Sequence, residues 1–403
     1  MVDSIIIGSG LVGSAMAVSL ARAGLKVALI DAQDPKRNTQ QAYDGRASAL
    51  SLGSRRVLES IGVWERIVGK SPIYDIRACE GFSPLHVHYD HRAVGAEPFG
   101  HIIENNLVRT ALYQAVREQT LIDWHAPAEA VSIERSETAV TVALSDGTML
   151  QAPILLVADG KFSTTRKRVG IEARVVEYGQ TAIVCTITHR RPHEGLALER
   201  FMAPGPFAVL PMTQDASGLP RSNIVWTESH AMAARMLELK DEEFLAELRL
   251  RLGNYLGELG LSGPRHSYPL TLVLAERYTD ARVALVGDAA HGIHPIAGQG
   301  VNLGYRDVAA LAELMMDQAR LGLDLGSATM LAHYERWRRF DATSTAMVMD
   351  GLNRLFSNRF SPLRLARNLG LGVVNEIAPL KRFLMMDAMG LTGDLPRMMK
   401  EAA

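Results

Sequence analysis

The chain has 403 residues, 47% of them hydrophobic and 22% charged, which is enough for a large core and for more than one ordinary domain. A formal net charge of −1 excludes a global field that would attract nucleic acid, so no nucleic-acid partner is expected. The two cysteines, Cys79 and Cys185, exclude a disulfide scaffold and favour a cytoplasmic location. We expect neither a secretory signal nor a spanning helix, which would need an uncharged apolar run of ~18 residues.

The start of the chain is typical of a dinucleotide-binding unit. The apolar run Ile5–Ile7 predicts a strand buried on both faces. It is followed by the G-x-G-x-x-G sequence Gly8-Ser9-Gly10-Leu11-Val12-Gly13, and then by helix-forming residues that end before Gly24. A second apolar run, Val27–Ile30, leads directly to Asp31. A glycine motif in this strand, helix, strand and acid context is a strong dinucleotide signal, which the motif alone is not.

Each residue type in this motif suits a dinucleotide. Gly8 permits the tight turn, Gly10 lets the backbone approach a pyrophosphate, and Gly13 allows close packing of helix on strand. The helix N-terminus, beginning near Leu11 and Val12, offers unpaired N–H groups to the phosphates. Asp31 is placed to accept hydrogen bonds from ribose hydroxyls and argues against a 2′-phosphate. The nucleotide is therefore predicted to be FAD or NAD.

Two later segments favour FAD. Ile154–Val157 predicts a strand that ends in Asp159-Gly160, although a plain strand-to-loop turn with a solvated basic face is the alternative. Arg282–Val286 predicts another strand, which ends in Gly287-Asp288 and is followed by a glycine turn and a helix with an apolar stripe. Asp288 could accept hydrogen bonds from ribityl hydroxyls, and the helix N-terminus at Gly298-Gln299-Gly300 would stabilise negative charge on a reduced flavin ring.

The middle of the chain predicts a mostly antiparallel sheet around one helix, Glu242–Leu252. The predicted strands are Thr181–Thr188, Phe207–Met212, Ser222–Thr227 and Ser267–Leu274. We expect this sheet to form one wall of a substrate pocket. The candidates for the wall that faces the flavin are Phe207, Val209, Leu210 and Pro211, and the alternative is that these residues form inter-domain core.

Residues 341–403 are predicted to be helical and are locally basic. Leu352, Leu355, Phe356 and their neighbours could form the apolar side of a face that lies on a membrane surface. The alternatives are a solvated helical cap over the nucleotide domain and an oligomer contact.

The three motifs, in this order and spacing, resemble those of the class A flavoprotein monooxygenases, the p-hydroxybenzoate hydroxylase superfamily. The last motif is also similar to that of the ubiquinone-biosynthesis FAD-dependent hydroxylases. It comprises Gly287-Asp288-Ala289-Ala290-His291, Pro295, Gly298-Gln299-Gly300, Asn302, Gly304 and Asp307. Asp44-x-Arg46 and Arg109 carry the same resemblance, which covers nearly the whole chain. Val157 departs from the pattern, because a glycine is common there, and we expect little consequence at a strand position.

The expected fold class is α/β, with a doubly wound Rossmann-like FAD-binding domain, an inserted mostly antiparallel β-sheet substrate domain and a helical C-terminal region. The FAD-binding domain would comprise residues 1–75, 100–178 and 275–340. Residues 76–99 and 179–274 would form the substrate domain, and 341–403 the C-terminal region.

The resemblance also implies site residues. Arg46 and Arg109 would lie near the flavin and its phosphates, with ordinary salt bridges as the alternative. Besides the first motif, the cofactor residues would be Asp159, Gly160, Gly287, Asp288, Pro295, Gly298, Gly300, Val301 and Asn302. The catalytic candidates beside the ring are His294, Pro295, Gly298 and Gln299. No metal is expected, because His291 and His294 have no third ligand nearby in sequence.

The function implied is hydroxylation of the aromatic ring of a polyprenylated phenol in ubiquinone biosynthesis. Reduced FAD would react with O₂ to form a C4a-hydroperoxide, and the electrons would come from NAD(P)H or a partner reductase. The alternatives are a class A hydroxylase of a soluble aromatic compound and an FAD-dependent prenyl reductase that inserts no oxygen. The resemblance leaves three options open for location and assembly. They are peripheral association with the inner membrane face, membership of a ubiquinone-biosynthesis complex, and a homo-oligomer.

Overall fold

The computed structural model describes residues 1–36, 45–293, 299–357 and 361–401, without the side chains of 299, 361–366 and 369. In chain order the strands are β1 (Ser4–Ile7), β2 (Val27–Ile30), β3 (Ala47–Ser51), β4 (Ser71–Ile73), β5 (Asp75–Glu80), β6 (His86–Asp90), β7 (Gly100–Glu104), β8 (Ile122–His125), β9 (Ala130–Arg135), β10 (Val140–Leu144), β11 (Met149–Ala152), β12 (Leu155–Val157), β13 (Ala173–His189), β14 (Leu196–Met202), β15 (Gly205–Met212), β16 (Arg221–Ser229), β17 (Leu259–Leu261), β18 (His266–Ala275), β19 (Thr279–Asp280) and β20 (Val283–Leu285). The α-helices are α1 (Leu11–Arg22), α2 (Leu52–Ser60), α3 (Asn105–Glu118), α4 (Thr164–Arg168), α5 (His230–Glu238), α6 (Asp241–Leu252), α7 (Asp288–His291), α8 (Gln299–Arg320), α9 (Ala328–Phe356), α10 (Ser361–Glu376) and α11 (Ala378–Ala388).

The nucleotide-binding part is built on a six-stranded sheet in the order β19-β20-β12-β1-β2-β8. Strand β1 pairs in parallel with β2 and β12, and β20 extends the parallel set beyond β12. Ile5, Ile6 and the whole of β2 are buried, as the continuous apolar runs predicted. Because the strands are parallel, the ends of β1, β2, β12 and β20 meet at one edge, where doubly wound sheets bind ligands.

The predicted substrate sheet is present and larger than expected. Its strand order is β17-β13-β16-β15-β14-β5-β6, and β18 pairs with β13. All pairs in it are antiparallel except β14 with β5. The four predicted strands and the predicted helix correspond to β13, β15, β16, β18 and α6, whereas β14 was not predicted.

Two of the expected domain boundaries fall inside single elements. The cut between residues 178 and 179 lies within β13, whose 17 residues form one strand. The cut between residues 340 and 341 lies within the 29-residue helix α9. A strand or helix of this length carries the backbone from one part of the molecule to the next without a linker, so composition gives no sign of the boundary.

The C-terminal part covers the nucleotide-binding part and the substrate sheet. Met385 and Met389, from the end of α11, are buried in a cluster with Leu52, Phe99 and Ile102. The final described residues then return to the first helix, where Ser19 Oγ donates to Met398 Sδ at 3.9 Å. Among the alternatives left open for this region, the contacts favour a helical cap.

Candidate functional site

Four strand ends define the candidate site at the carboxyl edge of the parallel sheet. Gly8 follows β1, Asp31 follows β2, Asp159 lies two residues after β12, and Asp288 lies three residues after β20. A cavity of about 760 Å³ opens at this edge. Its lining includes predicted cofactor residues from four separate parts of the chain, namely Gly8, Gly10 and Asp31, then Arg46, then Arg109, and then Asp159 and Gly160.

A side chain would have a different effect at each of the three glycines of the first motif. Gly8 has φ +105°, and a Cβ there would lie 2.4 Å from the carbonyl oxygen of Ala158. A Cβ at Gly13 would lie 1.9 Å from the carbonyl oxygen of Gly8. Gly10 has an ordinary φ of −66°, and among the described residues its Cβ position has no neighbour within 4 Å. The protein itself therefore does not require glycine at position 10, whereas a diphosphate close to the N-terminus of α1 would.

The helix N-terminus behind Gly10 is free to bind an anion through its backbone. No side chain caps α1, and no acidic residue lies in its first turn. Leu11, Val12 and Val301 pack against the hydrophobic core, so any cofactor contact they make would use the backbone. Unpaired N–H groups and the helix dipole both favour negative charge at this position.

Asp31 is held by the glycine turn. Its Oδ2 accepts hydrogen bonds from the backbone N–H and the hydroxyl of Ser9, both at 2.7 Å, and its Oδ1 accepts one from Gln33 N at 2.8 Å. A carboxylate offers about four acceptor sites. The side chain is therefore fixed in place and retains capacity for a ribose hydroxyl.

Asp159 carries an unsatisfied oxygen in the cavity wall. Its Oδ2 accepts from Thr165 N at 3.1 Å, but its Oδ1 is buried and has no hydrogen-bond partner among the described residues. Leaving such an oxygen unpaired costs roughly 1–3 kcal/mol or more. A ligand that donates a hydrogen bond here would remove that cost. Gly160, with φ +87°, follows it and also lines the cavity.

Two arginines supply positive charge to the same cavity. Arg46 precedes β3 and is exposed, and its Cζ lies 5.3 Å from the ring centroid of Tyr268. Arg109 lies on α3 and is partly buried. The structure thus brings both predicted arginines to the cavity of the glycine motif, where guanidinium groups suit a diphosphate.

Asp288 is exposed to solvent and lies near a lysine. Desolvation by the surrounding protein raises the pKa of its carboxyl, while the charge of Lys161 opposes the rise. Burial likewise lowers the pKa of Lys161, and Asp288 opposes that shift. Lys161 Nζ also donates to the carbonyl oxygen of Thr271 at 2.7 Å. The sequence pattern did not indicate this role for Lys161.

The first and third motifs are in direct contact. A Cβ at Gly304 would lie 2.5 Å from Val12 Cγ2, and one at Gly287 would lie 3.1 Å from Val12 Cγ1. Gly287 also has φ +63°. Val12 therefore fills the space between the Gly-Asp turn and α8, which explains why both partners are glycines.

Asn302 positions the start of α8. Its Oδ1 accepts hydrogen bonds from Ser51 N at 3.0 Å and Ser54 Oγ at 2.7 Å, and its Nδ2 donates to the carbonyl oxygen of Ala49 at 2.8 Å. These bonds tie α8 to β3 and α2 and give Asn302 a structural role that the sequence did not indicate. Gly300 lies close to Asp288, since its Cβ position is 4.0 Å from Asp288 Oδ1.

Several predicted residues lie outside the described residues. These are His294, Pro295 and Gly298, together with Asp44 and the side chain of Gln299, whose backbone begins α8. Their assignment beside the flavin ring stays a prediction. Among the described residues, no group of three or more His, Cys, Asp or Glu side chains could hold a metal ion.

A buried ion network supports the Gly-Asp turn. His291 Nε2 lies 2.5 Å from Asp307 Oδ2, which also accepts from Gly287 N at 2.9 Å. Arg338 Nε donates to Asp307 Oδ1 at 2.7 Å. Burial alone would lower the pKa of His291, but Asp307 raises it above its ordinary value. His291 is thus a structural residue, and Arg338 is a partner that the sequence did not indicate.

The prediction for the substrate wall is wrong for three of its four residues, Phe207, Val209 and Pro211. Phe207 and Val209 are buried in a cluster with Trp226 and Phe244, on the side of the sheet covered by α5 and α6. Leu210 alternates with them and packs on the opposite face, with residues of the nucleotide-binding part. Pro211, by the same alternation, shares the face of Phe207 and Val209.

Comparison with known proteins assigns this arrangement to a family. Residues 1–347 match the FAD binding domain family. The ubiquinone hydroxylase UbiL of Rhodospirillum rubrum is 46% identical over 402 residues, which is 99% of this chain and 92% of that protein. The chain belongs to this family of FAD-dependent hydroxylases. The 3-demethoxyubiquinol 3-hydroxylase of Escherichia coli (strain K12) is 31% identical over 389 residues, 96% of this chain and 98% of that protein.

The fold agrees with this assignment. The crystal structure of p-nitrophenol 4-monooxygenase PnpA from Pseudomonas putida DLL-E4 superposes with a TM-score of 0.77, at 19% identity, and the match covers 98% of both chains. The protein is an FAD-dependent aromatic-ring monooxygenase. Its site fits FAD, because the open space at Gly10, the unpaired Asp159 oxygen and the accessible carboxyl of Asp288 each suit a part of that dinucleotide.

Proposed function

We propose that this monooxygenase hydroxylates the aromatic ring of a polyprenylated phenol in ubiquinone biosynthesis. The observation that carries the proposal is the 46% identity to the ubiquinone hydroxylase UbiL along 99% of the chain. The similarity to the 3-demethoxyubiquinol 3-hydroxylase, along 98% of that protein, supports the same substrate class.

Different residues of the site would hold different parts of the cofactor. The N-terminus of α1, with Arg46 and Arg109, would hold the diphosphate, and Asp31 would hold the ribose. Asp288 would accept a hydrogen bond from the ribityl chain. When bound, FAD supplies an activated oxygen atom drawn from O₂, with electrons that we propose come from NAD(P)H or a partner reductase.

The protein then has to orient the phenol and exclude water. We propose that the substrate lies between the nucleotide-binding part and the face of the large sheet that carries Leu210. Ile76 and Leu210 make that face apolar and are packed with Ala47 and Ala49 of β3. An apolar enclosure of this kind slows loss of the activated oxygen to water and suits a prenylated ring.

We also propose that the C-terminal helices rest on a membrane surface, which would give access to a polyprenyl substrate. Val373, Ile377, Leu380 and Phe383 are exposed apolar side chains on or between α10 and α11, and Arg382 is exposed beside them. Among the described residues, no helix is both long and apolar enough to cross a bilayer.

This surface differs from the amphipathic face expected from the sequence. Phe356 is buried and stacks on Phe201 at 4.2 Å between ring centroids. Arg367 is buried and forms an ion pair with Glu80. Neither side chain is available to lipid, because both hold the C-terminal helices on the substrate sheet.

Liposome flotation tests the membrane proposal. The double substitution Ile377→Ser and Phe383→Ser should abolish co-flotation with anionic vesicles, because it removes exposed apolar area without affecting buried contacts. Leu321→Ser, exposed on the turn after α8, is the matched control and should float as the wild type does. Equal flotation of wild type and double variant would reject this surface.

The substrate proposal is tested by metabolites and labelled oxygen. A strain lacking the protein should accumulate a prenylated phenol that lacks one ring hydroxyl, and the purified enzyme should insert one atom of ¹⁸O₂ into it. Insertion into a soluble aromatic compound only would favour the first alternative, and hydride transfer without ¹⁸O would favour a prenyl reductase. We further propose a cytoplasmic location and assembly with other ubiquinone-biosynthesis proteins or a second copy of this chain.

A further inference from the structure

Glu199 lies on the face of the large sheet that is turned toward the nucleotide-binding part, and it has no ion-pair partner among the described residues. The register places Glu199 of β14 opposite Ala78 of β5 and Ala208 of β15. The same lateral row continues through Val225 of β16 and Val184 of β13. Residues in one row of a sheet project from the same face, so Glu199 is the charged member of an otherwise small and apolar row over these strands.

The far end of this row meets residues of the cofactor cavity. The row ends at His266 of β18, and a Cβ at Gly45 would lie 2.6 Å from the His266 ring. On the neighbouring row, Asn223 Nδ2 donates to the carbonyl oxygen of Gly45 at 2.9 Å. Gly45 directly precedes the cavity residue Arg46. Strands lie ~4.8 Å apart, so β14 is about 10 Å across the sheet from β16, the strand that contacts this cavity segment.

The side chains between these two positions leave room above the sheet. Ala208 and Val225 are the residues of the row on the intervening strands, and Ala208 has only a methyl group. Ala78, Glu199 and Val225 are each partly accessible although they lie on a face covered by other elements. Accessible side chains on a covered face indicate an internal recess, and Glu199 lies along one side of it.

The Glu199 carboxylate has no partner among the described residues, since it accepts no hydrogen bond and forms no ion pair there. Among the described side chains, the titratable and charged groups on this face and on the elements packed against it include Glu80 of β5, which pairs with Arg367 of α10, His266 at the end of the row, and Asp387 of α11, which acts on Tyr89. Tyr89, on β6, has a pKa raised to about 12 and is therefore neutral. Burial alone raises the pKa of Glu199 to about 7.

We propose that Glu199 accepts the proton of the substrate's phenolic hydroxyl and so orients and activates the ring, an inference that rests on the proposed function. The phenol O–H bond breaks, a bond from that proton to a Glu199 carboxylate oxygen forms, and negative charge passes to the phenolate. The ring carbons ortho and para to that oxygen become richer in electrons, as attack on an activated oxygen atom requires. The proton returns to the product oxygen, so Glu199 is regenerated.

A base of this kind has to be ionised to work. Because Glu199 loses its proton near pH 7, its carboxylate form dominates at higher pH, and hydroxylation by the wild type should rise with pH through that region. A phenol should also bind better than its methyl ether, which has no proton to donate. The expected preference is on the order of tenfold, as for a hydrogen bond to a charged group.

The test uses FAD-loaded enzyme with 2-geranylphenol and its O-methyl ether. Glu199→Gln should lower kcat for hydroxylation about 100-fold and abolish the rise near pH 7. Binding of both compounds, measured by the change in flavin absorbance, should lose the preference for the phenol at high pH. Glu177→Gln, an exposed position on β13, is the matched control and should behave as the wild type.

The outcomes separate this inference from the function on which it rests. If Glu199→Gln keeps the wild-type kcat and pH profile, Glu199 is not the base, although the hydroxylase function stands. If the wild type neither binds nor hydroxylates the phenol, the proposed function fails and this inference fails with it. If the glutamine variant does not fold, Glu199→Asp should lower kcat and keep the pH dependence, and unchanged kcat in that variant overturns the inference.

Discussion

Asp307 lies 2.5 Å from His291 Nε2, and both side chains are fully buried. The same carboxylate oxygen accepts a hydrogen bond from the backbone of Gly287, so one side chain holds the first and last parts of the turn that presents Asp288. Arg338, which lies on α9, forms an ion pair with Asp307 and balances the charge of its carboxylate. The turn that presents Asp288 is thus fixed by three residues that are not among those lining the cavity of the glycine motif.

Asp307→Ala should lower the free energy of unfolding by about 3–5 kcal/mol, because it leaves Arg338 and His291 buried without their partner. Urea unfolding of the FAD-free protein measures this loss. Burial opposes ionisation of Asp307, but His291 and Arg338 keep its pKa below the ordinary value. The stabilisation is therefore complete above the ordinary carboxylate pKa and is lost as the pH falls further.

Asp317→Ala is the control for that experiment. Asp317 pairs with Arg397 at 2.5 Å, but both side chains are about half exposed, so the loss should be about 0–1 kcal/mol. Similar losses in the two variants would contradict the role assigned to Asp307.

Gly10→Ala and Gly13→Ala should fail in different ways. The Cβ of alanine at position 10 would meet no atom of the described residues within 4 Å, so the free energy of unfolding should change by about 1 kcal/mol or less, while FAD affinity falls at least about tenfold. Alanine at position 13 would place its Cβ 1.9 Å from a carbonyl oxygen, so the apo protein itself should be destabilised. Flavin fluorescence titration and thermal unfolding of apo protein distinguish the two. A stable Gly13→Ala protein would contradict the packing described.

Lys161→Met should make FAD binding more sensitive to acid. Lys161 lowers the pKa of Asp288, which burial raises, so without the lysine Asp288 takes up its proton at a higher pH. A protonated carboxyl is a poorer acceptor for a ribityl hydroxyl, and FAD affinity should begin to fall at a higher pH than in the wild type. Titrations of FAD across the acid range measure the shift. Lys167→Met, an exposed position on α4, should leave the pH dependence unchanged.

Glu199→Gln should stabilise the protein in alkaline buffer. The folded-state pKa of Glu199 is raised to about 7, so the folded protein binds this proton more tightly than the unfolded chain does. Stability therefore falls as pH rises from the ordinary carboxylate pKa to about 7, and the glutamine variant avoids that loss. At alkaline pH the gain should be on the order of 2 kcal/mol, and it should vanish in acid. If the wild type and Glu199→Gln had equal urea midpoints in alkaline as well as in acid buffer, Glu199 would not be desolvated in the folded protein.

The sequence predicted those parts of the site that depend on short stretches of chain. The G-x-G-x-x-G turn, Asp31, Asp159 and Asp288 all follow strands whose apolar runs are evident, and parallel pairing brings strand ends together. The resemblance to known hydroxylases then added Arg46, which lies in the same cavity.

The sequence could not predict features that depend on distant pairing. Alternation along β15 separates Phe207 and Val209 from Leu210, but nothing local decides which face meets the nucleotide-binding part. Likewise, Asn302 accepts a hydrogen bond from Ser51, which is about 250 residues away in the chain, and only the fold brings the two together. Glu199 lies on β14, a strand that the sequence pattern did not indicate.

The return of the C-terminal segment to α1 has a consequence for biosynthesis. Ser19 and Met398 touch although 379 positions separate them in the chain, and Met399 fills the space beside Gly53. At a translation rate of ~5–20 residues per second, the segment with Met398 is synthesised on the order of tens of seconds after the first helix that it contacts. The groove for Met398 and Met399 is uncovered throughout that time and offers apolar surface to chaperones.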